Sequence, residues 1–187
     1  MILLMGVAGS GKSTQGRLFA DEQGFAWIST GELLRVLITG KRRQEMLQGK
    51  LLSDQEMVNI LDKIFDLVDL KKEFVLDGFP RTVPQAEWLL EQTKQGRLSI
   101  DVVFNLTVSQ EVSRRRLQAR GRQDDIDEVI DKRFREYDEV TQPIIALFRN
   151  RSLTVYEIDA SQDPQAVRDE IWQRAKSLNI VPDDNKN

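Results

Sequence analysis

The chain has 187 residues, 40% of them hydrophobic and 30% charged, a balance that suits one α/β domain with a substantial core and argues against disorder. Its net charge of −3 gives no general pull on nucleic acid, so a polynucleotide is not an expected partner and any anionic ligand must be caught by locally placed arginines. With no cysteine and no histidine, disulfides, thiolate zinc sites and Ser-His-Asp chemistry are excluded.

In chain order, Ile2-Leu3-Leu4-Met5 is a short apolar run ending at Gly6, the pattern of a buried parallel strand, and a helix is predicted from Lys12 to Gln23. Phe25 to Ile28 reads as a second strand, with Ser29 or Thr30 as the N-cap of the helix behind it. Residues 33–52 are polar and helical, broken by Gly40 and Gly49, and suit a flap rather than core. Ser53 opens a helix with Met57, Ile60, Leu61, Ile64, Phe65 and Val68 at helical spacing. Glu73 to Asp77 is a strand halted by Gly78, followed by a helix from Pro84 to Lys94. Asp101 to Leu106 is the next strand, and Ser109 caps a helix through Arg114, Arg115 and Arg116. Ala119 to Asp125 is very polar and reads as a loop. A long amphipathic helix then carries Ile126, Val129, Ile130, Phe134 and Tyr137, with a kink or restart at Pro143. Thr154 to Ile158 is the last strand, Pro164 starts a final helix, and the tail after Pro182 is expected to fray. Strands alternating with helices predict a parallel sheet of about five strands covered on both faces. No apolar stretch approaches the roughly 20 residues of a membrane span. The start lacks the basic region and length of a signal peptide. The expectation is a cytoplasmic protein without a membrane partner.

Gly6-Val7-Ala8-Gly9-Ser10-Gly11-Lys12-Ser13 satisfies the phosphate-loop pattern G-x-x-x-x-G-K-S/T, between an apolar strand and a helix as the pattern requires. Its glycines let backbone N–H groups turn onto phosphate oxygens, Lys12 reaches the β and γ phosphates, and the helix N-terminus adds favourable potential. Gly9, Ser10, Gly11, Lys12, Ser13 and Thr14 are therefore the candidate ATP-binding run. Ser13 offers a hydroxyl to Mg²⁺, and Asp77, ending the strand beside the loop, fits a carboxylate holding a magnesium-bound water or a simple turn residue.

Further segments narrow the reaction. Ile28-Ser29-Thr30-Gly31-Glu32-Leu33-Leu34-Arg35 joins a small polar entry to an arginine one turn on. Asp77-Gly78-Phe79-Pro80-Arg81-Thr82 has Gln85 four residues after Arg81, and Arg116 to Asp125 is followed by Arg133. With these motifs in order, the chain resembles the adenylate kinase family of nucleoside monophosphate kinases from Met1 to about Ile171. The resemblance implies a P-loop kinase fold with two insertions, an acceptor flap at 29–52 and a short lid at 116–125. It implies reversible transfer of the γ-phosphoryl of ATP to AMP, with Mg²⁺ and without zinc, by a monomer. On this resemblance Thr30, Gly31, Arg35, Lys50, Leu51, Leu52, Gly78, Phe79, Pro80, Arg81 and Gln85 line the AMP site. Arg35 and Arg81 grip the acceptor phosphate, and Gln85 reads the adenine. Arg116, Arg120 and Gln162 serve ATP, with Ala160 to Gln162 forming the turn over its base, and Arg122 and Arg133 bridge both nucleotides. Lys12, Arg81, Arg120, Arg122 and Arg133 form the catalytic set.

Physical chemistry supports such a set. Moving a phosphoryl between two anions needs charge neutralisation and in-line positioning, which the planar arginine fork supplies, and a monophosphate with a second pKa of roughly 6 needs no general base. Arg114 and Arg115 suit a solvated helix face as well as a ligand, Asp124 and Asp125 suit a helix cap or partners for the lid arginines, and Trp27, Trp88 and Trp172 read as packing residues. Two spellings depart from the family. Ala8 stands where proline is common and Ser13 where glycine is common, which is closer to sugar-acid kinases of the gluconate type. The lid is minimal, since only Gly121 separates Arg120 from Arg122, and leakage to ATP hydrolysis is then expected. The alternatives are another acceptor (UMP, CMP or a small metabolite such as gluconate) and a module that binds ATP and AMP without turnover. Thr30 and Gln85 side with AMP.

Overall fold

The computed structural model describes residues 1–48, 50 and 52–181. Five strands form one sheet: β1 (Ile2–Gly6), β2 (Ala26–Ser29), β3 (Phe74–Asp77), β4 (Val102–Thr107) and β5 (Val155–Asp159). The order is β2-β3-β1-β4-β5 and every pairing is parallel, as the strand–helix alternation predicts. Boundaries move from the predicted ones by about one residue, the usual scatter of element ends. The chain leaves β1 toward one edge of the sheet and β4 toward the other, so a crevice opens at their carboxyl ends, where ligands of open α/β sheets bind.

Two-residue periodicity divides the strands between two cores. Leu3, Met5, Phe74, Leu76 and Val103 face α4 (Asp54–Leu67), α5 (Val83–Lys94) and α8 (Gln142–Asn150), meeting Leu61, Phe65, Leu89, Ile144 and Phe148. Ile2, Leu4, Val75, Phe104 and Leu106 face α1 (Lys12–Gln23) and α9 (Pro164–Ser177), meeting Phe19, Val167 and Ile171. Each such side chain contributes about 1.5–3 kcal/mol of burial. The tryptophans are packing residues as read: Trp88 stacks on Phe65, Trp172 meets Phe19 edge-on, and Trp27 packs against the second core.

Helices α2 (Thr30–Leu37) and α3 (Gly40–Leu47) bury only Thr30 and Leu34 between them. Ser29 precedes α2 without a side-chain cap bond, because its hydroxyl donates to Asp77 instead. By contrast Ser53 and Glu56 form a full capping box at α4. The loop expected from Ala119 begins only at Gly121. Helix α6 (Gln110–Arg120) runs through Ala119 and Arg120, and Gly121, at φ 67°, returns its N–H to Leu117 O to cap it. Leu117 is buried with Val7, Ile130 and Phe134, anchoring the segment that polarity alone placed outside. Asp124 and Asp125 do not cap α7 (Asp127–Glu136), whose N-cap position is Ile126. The expected restart at Pro143 is met without an intervening loop, α8 beginning at Gln142 with the proline in its first turn. A π-helical turn, Tyr137–Thr141, hands over to α8, with the Gln142 N–H bonding Tyr137 O five residues back. The expected fraying after Pro182 falls outside the described residues.

Candidate active site

The loop between β1 and α1 lies over the crevice. At φ 81° Gly9 is in the left-handed region, and a Cβ there would lie 2.7 Å from Ser113 O and Oγ and 2.9 Å from Leu117 Cγ. Only glycine lets the loop lie so close to α6. Ser113 Oγ also donates to Ala8 O, so α6 fixes the loop from behind. Lys12 is half-buried and its ammonium donates to Gly6 O at 2.7 Å and Val7 O at 2.8 Å. Burial lowers its pKa from 10.5 to about 8. Asp77 opposes the shift, while Arg81 and Arg120 add to it. Asp77 is 2% exposed, sits in register with Leu4 of β1 and Ser29 of β2, and accepts from Ser13 Oγ at 2.6 Å and Ser29 Oγ at 3.1 Å. Sheet register therefore joins the loop to the carboxylate. Ser10 Oγ is buried without a protein partner, and Thr14 is exposed on α1.

Across the crevice the predicted arginines converge. Arg120 makes a bidentate pair with Asp125 (Nε–Oδ2 2.9 Å, Nη2–Oδ1 2.6 Å). Arg133 bonds Asp124 and lies 3.5 Å from Asp125 Oδ1, while Arg35 lies 3.8 Å from Asp124 Oδ2. Arg122 Nη2 reaches Glu32 Oε1 at 2.8 Å, joining the α6–α7 turn to α2. Asp124 and Asp125 are thus partners of the arginines, the second of the two readings. Burial works against ionised Asp124, but Arg133 and Arg35 outweigh it and hold its pKa below the ordinary value. Burial and the facing Arg122 lower the pKa of Arg35, against Asp124 and Glu32. Burial and Arg133 do the same at Arg81, against Asp77 and Glu136. Arg81 is solvent-exposed by area, so water screens part of that repulsion, and arginine remains a cation throughout. Burial also pushes the Glu136 carboxyl up, against Lys132 and Arg81.

On the acceptor side, Gly78 at φ 83° follows β3, and a Cβ there would lie 2.7 Å from Thr30 Oγ1. Thr30 donates to Asp77 O at 3.2 Å, and Arg35 Nη1 bonds Gly31 O at 2.9 Å. Thr30, Gly31, Arg35, Gly78 and Arg81 therefore meet, with Arg81 Nε on Gly78 O at 2.9 Å. Phe79, before the cis Phe79–Pro80 peptide, is 1% exposed and packs edge-on to Trp88, so its side chain belongs to the core. Gln85 is 2% exposed. Its Oε1 accepts from Arg81 N at 2.8 Å and its Nε2 donates to Asp54 Oδ1 at 2.9 Å. Leu52 is buried core, and the Lys50 ammonium lies 3.8 Å from Glu45 on α3. Leu51 lies outside the described residues.

On the other side Arg116 Nη1 donates to Ala160 O at 2.8 Å, bringing α6 to the β5–α9 turn as expected, and the exposed Gln162 bonds Asp159 O at 3.2 Å. Arg114 instead pairs with Asp127 and Asp131 of α7, and Arg115 lies on an exposed face with Glu111 3.9 Å away, as the solvated-face reading has it. Sequence reasoning gave no site role to Asp54, to Glu32 or to Ser29, which it read only as a candidate helix cap. Only Glu32, three residues before Arg35 and opposite in charge, carried a readable signal. A separate cleft of about 450 Å³ beside β4 holds the Tyr137–Asn105–Glu157–Arg149 chain of hydrogen bonds. Of the loop residues only Val7 lines it.

Residues 4–153 match the family model described as adenylate kinase. An adenylate kinase of Corynebacterium urealyticum is 38% identical over 160 residues, covering 82% of this chain and 88% of its own length. One of Prochlorococcus marinus is 36% identical over 179 residues (92% and 97%), and one of Mycobacterium bovis is 36% identical over 180 residues (93% and 96%).

Proposed function

The chain belongs to the adenylate kinase family and is a nucleoside monophosphate kinase moving a phosphoryl between ATP and AMP, and from that premise we propose how its own residues divide the work. The loop Gly9–Thr14, with Arg116, Arg120 and Gln162, takes ATP. Thr30, Gly31, Arg35, the 50–52 segment, Gly78 to Arg81 and Gln85 take AMP, with residues 29–52 closing over the acceptor and 116–125 over ATP. An AMP phosphate oxygen attacks the γ-phosphorus in line, the bond to the β,γ-bridging oxygen breaks, and two ADP leave. Lys12 neutralises charge on the departing β-phosphate. Arg81, Arg120, Arg122 and Arg133 neutralise the transferring group, and no proton has to be removed. Ser13 Oγ and Asp77 Oδ2, 2.6 Å apart, are the hard oxygen donors that suit Mg²⁺, Ser13 directly and Asp77 through water. When bound with ATP the ion supplies further neutralisation of the phosphate oxygens. The working unit is taken as a cytoplasmic monomer. Among the described residues no helix is long and apolar enough to cross a membrane.

The observation that carries this reading is the convergence of Lys12, Arg35, Arg81, Arg120 and Arg133 on one crevice, where their charges perturb one another. Asp124, Asp125 and Glu32 hold several of these cations in place, and the cluster as a whole suits more than one phosphate chain. The test is ADP formation with Mg·ATP and AMP, UMP, CMP, GMP or gluconate as acceptor, in wild type and Gln85→Ala. AMP is expected to be preferred. Gln85→Ala is expected to lower kcat/KM for AMP by roughly ten- to hundredfold, the loss of a paired contact, with the KM for ATP unchanged. Untouched AMP use in Gln85→Ala, or a preference for gluconate, defeats the acceptor assignment.

A further inference from the structure

An adenine presents a donor at N6 beside an acceptor at N1. A 6-oxopurine presents the same two positions reversed, an acceptor at O6 and a donor at N1. A glutamine amide answers either, depending on which way it is turned, so an amide that reads bases selectively must be held against rotation. The Gln85 amide is held at both ends. Its oxygen accepts from the Arg81 backbone N–H at 2.8 Å, a group that only donates. Its nitrogen donates at 2.9 Å to Asp54 Oδ1, and a carboxylate only accepts. Turning the amide over would set donor against donor at Arg81 and acceptor against acceptor at Asp54. Asp54 Oδ1 is itself fixed by the Thr82 hydroxyl at 2.6 Å, and its helix begins with the Ser53–Glu56 capping box. An amide nitrogen carries two N–H donors and its oxygen two lone pairs. One of each is used here, which leaves one donor and one acceptor for a ligand in a fixed order.

We propose that Asp54 is a positioning residue for acceptor choice: by holding the Gln85 amide in one orientation it sets the kinase for 6-aminopurine monophosphates and against 6-oxopurine monophosphates. This rests on the assignment of Gln85 to the acceptor base. Asp54 need not touch the nucleotide, and its effect passes through the orientation of its neighbour. A merely structural role at the start of α4 would weaken all acceptors alike. The specific role moves the ratio between two purines that differ only in the sense of that edge.

The experiment measures kcat/KM for AMP and IMP, with ATP saturating, in wild type, Asp54→Asn and Gln85→Ala, with a thermal melt on each. Asparagine keeps the shape of Asp54 but brings a donor, so this end of the amide no longer selects an orientation and only the Arg81 N–H still does. Asp54→Asn is expected to lower the AMP:IMP ratio by about tenfold, with the KM for ATP unchanged. Gln85→Ala is expected to lower the same ratio at least as far. An Asp54→Asn enzyme with the wild-type ratio, beside a Gln85→Ala enzyme whose ratio has collapsed, overturns the role of Asp54 and leaves Gln85 as the base reader. A wild-type ratio in Gln85→Ala removes the base reader itself, and the proposal with it. If Asp54→Asn does not fold, Asp54→Ser, whose hydroxyl both donates and accepts, is measured against the same expectations.

Discussion

Lys12 titrates at about 8 in the folded protein against an ordinary 10.5, chiefly because it is desolvated within a loop made largely of glycine and small residues. Between those values the unfolded chain holds more protons, so unfolding free energy rises with pH across that window. Below about pH 8 the charged lysine works against the fold. A polyphosphate reverses the balance by giving the ammonium its counter-charge, so above about pH 8 nucleotide binding draws in a proton. The Kd for ATP is expected to rise from pH 8 toward 10 by up to about tenfold per unit, with proton uptake visible by calorimetry in buffers of different ionisation enthalpy. A Kd flat from pH 7 to 9.5 contradicts this. At this scale the sequence pointed to residues that the fold does bring to one crevice, each from a local pattern: Lys12 in its loop, Asp77 at a strand end, Arg35 and Arg81 a turn beyond a glycine. It was silent on Asp54, because nothing in a one-dimensional spacing of 31 residues says that the start of α4 meets the start of α5.

Among elements, the contact of the phosphate loop with α6 gives the sharpest mechanical expectation. Gly9→Ala combines a left-handed φ with a Cβ 2.7 Å from the Ser113 backbone, and backbone cannot rotate out of the way. Strain of about 1–3 kcal/mol is expected, a fall in Tm of roughly 2–12 °C for a chain of this size. ATP affinity should fall as well, because the loop has to lift off the helix that supports it. Differential scanning calorimetry and ATP titration check the pair, and a variant as stable as wild type would show that α6 gives way instead. Elements were read well wherever periodicity was strong, as in β1 and α4. At α6 the Ser109 cap and the helix through Arg116 were read, and only the last residues were missed, where the polar run from Ala119 masked a helix end held down by the buried Leu117. Pro143 marked the start of α8 correctly, but the π-helical turn that leads into it is an outcome that composition does not specify.

For the molecule as a whole, the Glu32–Arg122 pair links the acceptor side to the ATP side, and Glu32 competes with phosphate for an arginine of the site. Both side chains are partly exposed, so the pair is worth little, about 0.2–1 kcal/mol. Glu32→Gln is expected to lower the KM for AMP about two- to threefold by freeing Arg122 and Arg35, an effect that fades with added salt. Steady-state kinetics at low and high ionic strength check this, and a raised KM would mean that the pair helps to shape the site. The five-stranded parallel layout was legible because strand and helix signals alternate. The strand order was not, since apolar runs do not say which neighbour they choose. That order has a consequence for how the chain is made. The central strand β1 is the earliest to be synthesised, yet Ile2 pairs with Val75 and Val102. At about 5–20 residues per second, a bare Ile-Leu-Leu-Met strand waits several seconds for its second flank. The phosphate loop waits longer still, for Ser113 and Leu117 to leave the ribosome. The loop that grips phosphate therefore gains its backing only once α6, more than a hundred residues further along, has been made.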